Sequence, residues 1–350
     1  MHLTEEKTRD YSLDNIRCFL MFFVVFAHFL EVCAPFTHSQ LIYQVIYSFH
    51  MPAFVFLFGY NIKYSLRRIL CRWCIPYLVF QSIYIVFART ALNAEVAFQY
   101  TTPYWLLWYM LACIFYQLTL PLFETTNRRR QIFSLVCVFA ISLLVGLIDS
   151  VGYPLTMSRF FVFQIWFLLG YYCKKDGVLE AFSQHKKSRS SFVLASVGVL
   201  VLSVLFLSEA KLANGVLYGS YSYAATHSTI WIRAVVCLIA FAWIVFLFLG
   251  VKTYLNKKLP LMTRIGQNTW PIFILHGVFV KAIPVYCPWL ISSFWQVVLL
   301  SCALLVLLGN KICHRAIDYI GFSWLEKLFP AAHRRKESCP KEPSYLRKRQ

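Results

Sequence analysis

Two ionisable residues, Arg17 and His28, belong to the first strongly apolar segment of the chain, Arg17 at its amino-terminal edge and His28 well inside it. A helix turns about 100° and rises about 1.5 Å per residue, so an eleven-residue offset puts both side chains on one face, roughly 16 Å apart along the axis. They share a face and cannot touch. In lipid such groups are costly, and an ionisable residue inside a span is a functional candidate by default. The structural alternative stays open: Arg17 snorkels to phosphate headgroups and His28 makes one buried hydrogen bond to a neighbouring helix. A neutral imidazole titrates near physiological pH, so a histidine here could deprotonate an alcohol or relay a proton. His50, near the outer start of the second apolar segment, is expected at a depth similar to His28 in the outer half, and His276, within the ninth, closer to the middle; the three could line one cavity. Glu31, one turn beyond His28 on the same face, could orient that imidazole or simply sit at the outer interface.

Arginines collect at the other face. Arg17, Arg67, Arg68, Arg72 and Arg264 all fall near the ends of apolar segments on one side. Guanidinium forks there could hold phosphate bidentately, or could serve only headgroup snorkelling and topology. Phosphate-holding groups at one end and a base at depth suit a nucleotide-carrying acyl donor, and the offset from Arg17 to His28 is comparable with the reach of a phosphopantetheine arm. Metal chemistry is the weaker account. Neither His-x-x-x-His nor Glu-x-x-x-His spacing occurs within an apolar segment, and Cys71-Arg-Trp-Cys74 is a lone CxxC without a second ligand pair, so no metal site is expected.

The elements that must position these groups are membrane helices. Of 350 residues, 59% are hydrophobic and 18% aromatic, a composition outside the range of soluble globular domains. Apolar windows long enough to cross a bilayer fall near 16–33, 45–62, 75–92, 104–123, 131–148, 158–173, 191–208, 230–250, 268–285 and 289–311. The expected fold class is therefore all-α, a polytopic bundle of about ten transmembrane helices. The net charge of +19 is placed to orient it. When alternate loops are compared, only Arg89, Arg159, Lys211, Arg233 and Lys281 fall on the odd-numbered side, and the other Lys and Arg residues cluster at the amino terminus, in the even-numbered loops and in the tail. The positive-inside rule then puts both termini in the cytoplasm, and the basic charge needs no nucleic acid to explain it. The first span is expected to be an uncleaved signal anchor. Residues 1–330 read as one integral-membrane domain, and 331–350 as a basic cytoplasmic tail expected to be disordered. The twelve cysteines are scattered and suggest no disulfide framework.

At these residues the sequence resembles the integral-membrane acyltransferase 3 family, and within it the fucose 4-O-acetylase-like branch. Ser12-Leu-Asp-Asn-Ile-Arg17, running on to Val24-Val-Phe-Ala-His28, is similar to that family's first-helix signature. Phe49-His50-Met-Pro52 through Gly59-Tyr60 is similar to the second-helix pattern of the branch, with Phe58 where relatives commonly carry Ser. Arg67-Arg68-Ile-Leu-Cys-Arg72-Trp-Cys-Ile-Pro76-Tyr77, Trp105-Leu-Leu-Trp108-Tyr109, Phe160 to Tyr172 and Gly266 to His276 resemble later blocks in the family's order.

The resemblance implies a bacterial inner-membrane, multi-pass enzyme that moves an acyl group, acetyl in the first instance, from cytoplasmic acyl-CoA to a hydroxyl of a cell-surface or lipid-linked glycan. Acetyl-CoA would be a co-substrate, with no permanently bound cofactor. Carried over by position, His28 is the essential histidine and Arg17 its partner in donor handling. Arg67, Arg68 and Arg72 would help bind the donor, and His50, Glu31, Tyr77, Trp105 and His276 would line the cavity. The alternative from another class is a transporter or flippase for a lipid-linked sugar or small anion. Its marks would be two halves with matching broken segments and several intramembrane acidic groups, and neither is evident.

Overall fold

The computed structural model describes residues 10–33, 35–184, 186–210 and 212–328, without the side chains of 182–189. The expected tail, 331–350, lies outside the described residues. Among those described there is helix and no strand, as an apolar chain in lipid requires, because helices satisfy their own backbone hydrogen bonds. The long elements are α1 (Ser12–Val32), α2 (Ser39–Tyr60), α3 (Leu66–Ala91), α4 (Trp105–Phe123), α5 (Arg128–Leu147), α6 (Met157–Lys175), α7 (Lys186–Ala210) and α8 (Ile230–Tyr254). Then follow the short α9 (Pro260–Gln267), α10 (Thr269–Tyr286), α11 (Phe294–Leu308) and α12 (Lys311–Ile320). Every apolar window read from the sequence falls on one of them.

Among the described residues eight helices are long and apolar enough to cross a membrane, or nine if α11 and α12 count as one broken span. The two are bent by 74° across Gly309–Asn310. Asn310 causes the break: its side chain accepts from the backbone N–H groups of Ile312 and Cys313, both at 2.9 Å, and so starts a new helix. The window expected at 289–311 is therefore a shorter span followed by a turned-aside helix. The remaining expected span, α6, is 19 residues long but carries Arg159, Gln164, Lys174 and Lys175. Other starts are equally local. Asn127 caps α5 by accepting from Arg129 and Arg130, and Asp10 accepts from the Ser12 N–H ahead of α1.

Alternate connections meet at a common end, which fits an up-and-down bundle. At the basic end, Arg128 pairs with Asp176 at 2.7 Å, Tyr60 donates to Glu180 at 2.9 Å, and the Asn15 amide donates to the carbonyls of Leu255 and Lys257. At the opposite end the long connection between α7 and α8 folds under itself. Gln44 donates to the Leu212 carbonyl, Ser158 to that of Gly219, and Arg159 to that of Tyr218.

Helices α2 and α6 pack backbone to backbone at two glycines. A Cβ on Gly59 would stand 2.0 Å from the Phe167 carbonyl oxygen, and one on Gly170 would stand 2.0 Å from that of Phe56. Only glycine at both positions lets the backbones approach this far, and close approach replaces hydrophobic driving force as the glue between helices in lipid. Gly266 does the same for α9 against α1, where an added Cβ would stand 1.7 Å from the Asp14 carbonyl oxygen.

Candidate active site

Each of five helices turns one row of side chains toward a shared cavity of about 220 Å³. Helix α1 supplies Arg17, Met21, Val24 and His28, at the four-three-four spacing of a single helical face. Helix α10 supplies Thr269, Trp270, Phe273 and His276, and α2 supplies Met51, Phe54, Leu57 and Phe58 with Asn61 at its end. Leu106, Trp108 and Tyr109 of α4 and Trp73 of α3 complete the wall. Arg17 and His28 thus line one continuous space from opposite ends. Its sides are almost wholly apolar.

At the deep end, His28 Nδ1 stands 3.3 Å from Glu31 Oε2 and 3.3 Å from the Tyr47 hydroxyl. A carboxylate only accepts, so Glu31 favours the tautomer with hydrogen on Nδ1 and leaves Nε2 with its lone pair. The His28 ring meets that of Trp105 edge-on at 4.6 Å and stacks near-parallel with that of His276 at 5.4 Å. Trp105 takes a left-handed φ of 38° at the start of α4. For a bulky residue that is a strained conformation, costing about 1–3 kcal/mol, of the kind found where function dictates geometry.

At the shallow end, Arg17 pairs with Asp14 at 2.8 Å, and the other Asp14 oxygen accepts from Gln267 at 3.0 Å. Asp14 is held by the close approach of α9, so the guanidinium is mounted on a fixed base. Trp73 and Trp270, 6.2 Å apart edge to face, belong both to this cavity and to a second one of about 390 Å³. The second cavity is lined by Arg68, Arg72, His314, Asp318, Ser323 and Glu326. The two spaces adjoin across a tryptophan pair.

The arginines of the second space are not bare. Glu326 takes a hydrogen bond from Arg72 Nε at 2.5 Å and lies 3.7 Å from both Arg67 and Arg68, while Arg72 also reaches Asp318 at 3.5 Å. Burial works to raise the Glu326 carboxyl, but the Arg72 hydrogen bond and the charges of Arg72, Arg68 and Arg67 outweigh it and hold the carboxyl below its ordinary value. Residues Leu70–Cys74 form a π-helical turn inside α3, which rotates Arg72 and Trp73 out of plain α register. Such turns gather at functional sites.

Of the residues singled out by sequence, the structure brings Arg17, His28 and His276 to one cavity and sets Glu31 and Trp105 behind His28. His50 is buried beside it rather than in the wall: its Nδ1 donates to the Ile46 carbonyl at 2.8 Å and its ring packs on Tyr47. Tyr77 lies apart, its hydroxyl donating to the Tyr100 carbonyl at 2.7 Å. Arg264 is exposed on α9. Sequence reading passed over Asp14, Tyr47, Trp73, Trp270 and Glu326. Asp14 carried a local signal, three residues before Arg17 on the same helical face. Glu326, 254 positions from Arg72, carried none. Among the described residues no three His, Cys, Asp or Glu side chains converge to hold a metal ion.

Neither a curated protein nor a solved structure matches this sequence. The sequence model of the acyltransferase domain family, acyltransferase 3, matches residues 10–309, which take in every lining residue of the first cavity and all of α1 to α11. A helical bundle with several membrane-spanning helices, and a largely apolar cavity with an imidazole at one end and a guanidinium at the other, thus sit within that match, and the chain belongs to this family of membrane acyltransferases.

Proposed function

We propose that the protein transfers an acetyl group from acetyl-CoA, entering from the cytoplasm at the basic end, to a hydroxyl of a cell-surface or lipid-linked glycan. The observation that carries this reading is the single cavity shared by Arg17 and His28 and adjoining the arginine-lined space across Trp73 and Trp270. A CoA donor has that shape: a charged nucleotide end, a thin flexible arm and a terminal thioester. The phosphates would take the place of Glu326 against Arg67, Arg68 and Arg72, exchanging one carboxylate for a more highly charged anion. The arm would pass Arg17 and lie along Met21, Val24 and Phe273, setting the thioester beside His28.

Two chemical courses fit. In the first, His28 Nε2 takes the proton of the acceptor hydroxyl as its oxygen attacks the thioester carbonyl. The C–S bond then breaks, and the thiolate leaves with that proton as the free thiol. In the second, Nε2 itself attacks the thioester carbonyl, the C–S bond breaks and the thiolate leaves, taking up the Nδ1 proton as the free thiol. The resulting acyl-imidazole carries the acetyl group until the sugar oxygen attacks it, the N–C bond breaks and the hydroxyl proton returns to the ring. In both, Glu31 at Nδ1 stabilises the positive charge that develops on the ring, as a carboxylate does behind a catalytic histidine.

The test is incorporation of label from acetyl-CoA into extracted envelope glycan by the purified protein. Label in the glycan with wild type and none with His28→Ala supports the reading. A wild-type protein that binds acetyl-CoA but labels no glycan, or a His28→Ala variant that labels it normally, defeats it; a transporter would give the former result.

A further inference from the structure

Acyl transfer at His28 gives the second imidazole of the cavity, His276, no task. His276 is fully buried, and its Nδ1 donates to the Ile272 carbonyl one turn back at 2.8 Å. That carbonyl can only accept, so the proton is fixed on Nδ1 and Nε2 is fixed as a lone pair. Nε2 is shut off from water and has no hydrogen-bond partner. A buried unpaired acceptor is destabilising, and its persistence beside a ligand-sized space calls for an explanation. His28 is placed differently although its ring stacks on the same imidazole: Glu31 stands behind it to stabilise a proton, and among the described residues no carboxylate bonds to His276. His276 is built to accept a hydrogen bond rather than to take up a proton.

We infer that His276 Nε2 is the binding partner of the amide N–H nearest the thioester in the pantetheine arm of the donor. An amide entering this cavity leaves water for walls of Val24, Phe54, Leu106 and Phe273, none of which can accept its hydrogen. Left unpaired it would be destabilising. The His276 lone pair meets that need without a charge, and its level beside His28 matches an amide a few bonds from the carbonyl under attack. The step is binding alone, with no bond made or broken. The inference rests on CoA being the donor.

The test is equilibrium binding to the full chain in nanodiscs, with acetyl-CoA and with adenosine bisphosphate, which has the charged end and lacks the arm. His276→Leu and His276→Phe should each weaken acetyl-CoA about three- to tenfold and leave adenosine bisphosphate unchanged, while His276→Gln, which keeps an acceptor oxygen, should bind close to wild type. Unchanged acetyl-CoA affinity in both apolar variants, or equal weakening of both ligands, overturns the inference. Should those variants not fold, the wild-type protein decides: an acetyl-CoA analogue with an ester oxygen in place of that N–H should bind about three- to tenfold more weakly, and equal affinity overturns the assignment. A wild type that binds adenosine bisphosphate and acetyl-CoA alike speaks against His276 alone. One that binds neither removes the CoA reading and this inference together.

Discussion

Helices α1, α2 and α4 have 61% of their apolar windows buried, whereas α5 and α7 have 28% and 22%. The buried group carries the cavity together with α3 and α10; the exposed pair contributes nothing to it. Yet α5 and α7 are the more apolar by sequence, presenting side chains such as Phe133 and Leu194 outward. In water the order would be reversed, because apolar helices would seek the core. In lipid an outward leucine loses nothing, while an Arg, His or Gln must turn inward to be satisfied. High apolarity therefore marks the lipid-facing scaffold here, and the less apolar helices hold the chemistry.

Substitutions on the two groups of helices should separate sharply. The largest effect is expected for His28→Ala, which should lower acetyl transfer by about 10²–10⁴-fold with the unfolding midpoint in detergent close to wild type. A variant that turns over normally breaks the assignment of chemistry to α1. Next comes Gly266→Ala, whose new methyl would overlap the Asp14 carbonyl oxygen. Prising α9 from α1 should destabilise the protein by about 1–3 kcal/mol and weaken donor binding with it, because Asp14 carries Arg17.

Arg17→Ala should weaken acetyl-CoA by about tenfold or more in equilibrium binding, as expected for loss of a charge-assisted hydrogen bond to an oxygen of the arm that passes it, with the midpoint little changed. Unaltered donor affinity would reduce Arg17 to a headgroup anchor. Glu31→Gln, at a partly exposed 3.3 Å pair, should lower turnover only about two- to fivefold and leave donor affinity alone. The smallest effect belongs to the scaffold. Gly198 of α7 has nothing within 4 Å of an added Cβ, so Gly198→Ala should change stability by no more than about 0.5 kcal/mol in a thermal unfolding series. A large effect there would mean that α7 packs against something beyond this chain.

The first helix was legible almost whole. Its apolar run, the Arg17 to His28 spacing and the helical face they share follow from a repeat of 3.6 residues, and the cavity keeps that register through Met21 and Val24. The grouping of His28 with His276 was legible only as a possible shared cavity, since depth alone matched His28 with His50 and set His276 nearer the middle. The placing of His50 and Tyr77 outside the cavity was not, because rotation of a helix about its axis depends on which neighbour it packs against. The pairing of Arg72 with Glu326 had no local trace: it depends on the bend at Asn310, which brings the end of the described chain back over α3.

The amino-acid sequence by itself determined the class of solvent, the approximate limits of the long helices, and the two residues on α1 that share a face at opposite ends, because hydropathy and helical period are properties of a single segment. The count of spans was not among these, since about ten were expected and eight or nine are found among the described residues. Tertiary structure alone decided which faces meet. The glycine contacts between α2 and α6 and between α9 and α1 set distances too short for any side chain, the bend at Asn310 brings a carboxylate to the arginines of α3, and the packing of α10 leaves the Nε2 of His276 unpaired. Such features are sums over residues far apart in the chain, fixed only when backbones come within van der Waals reach of one another.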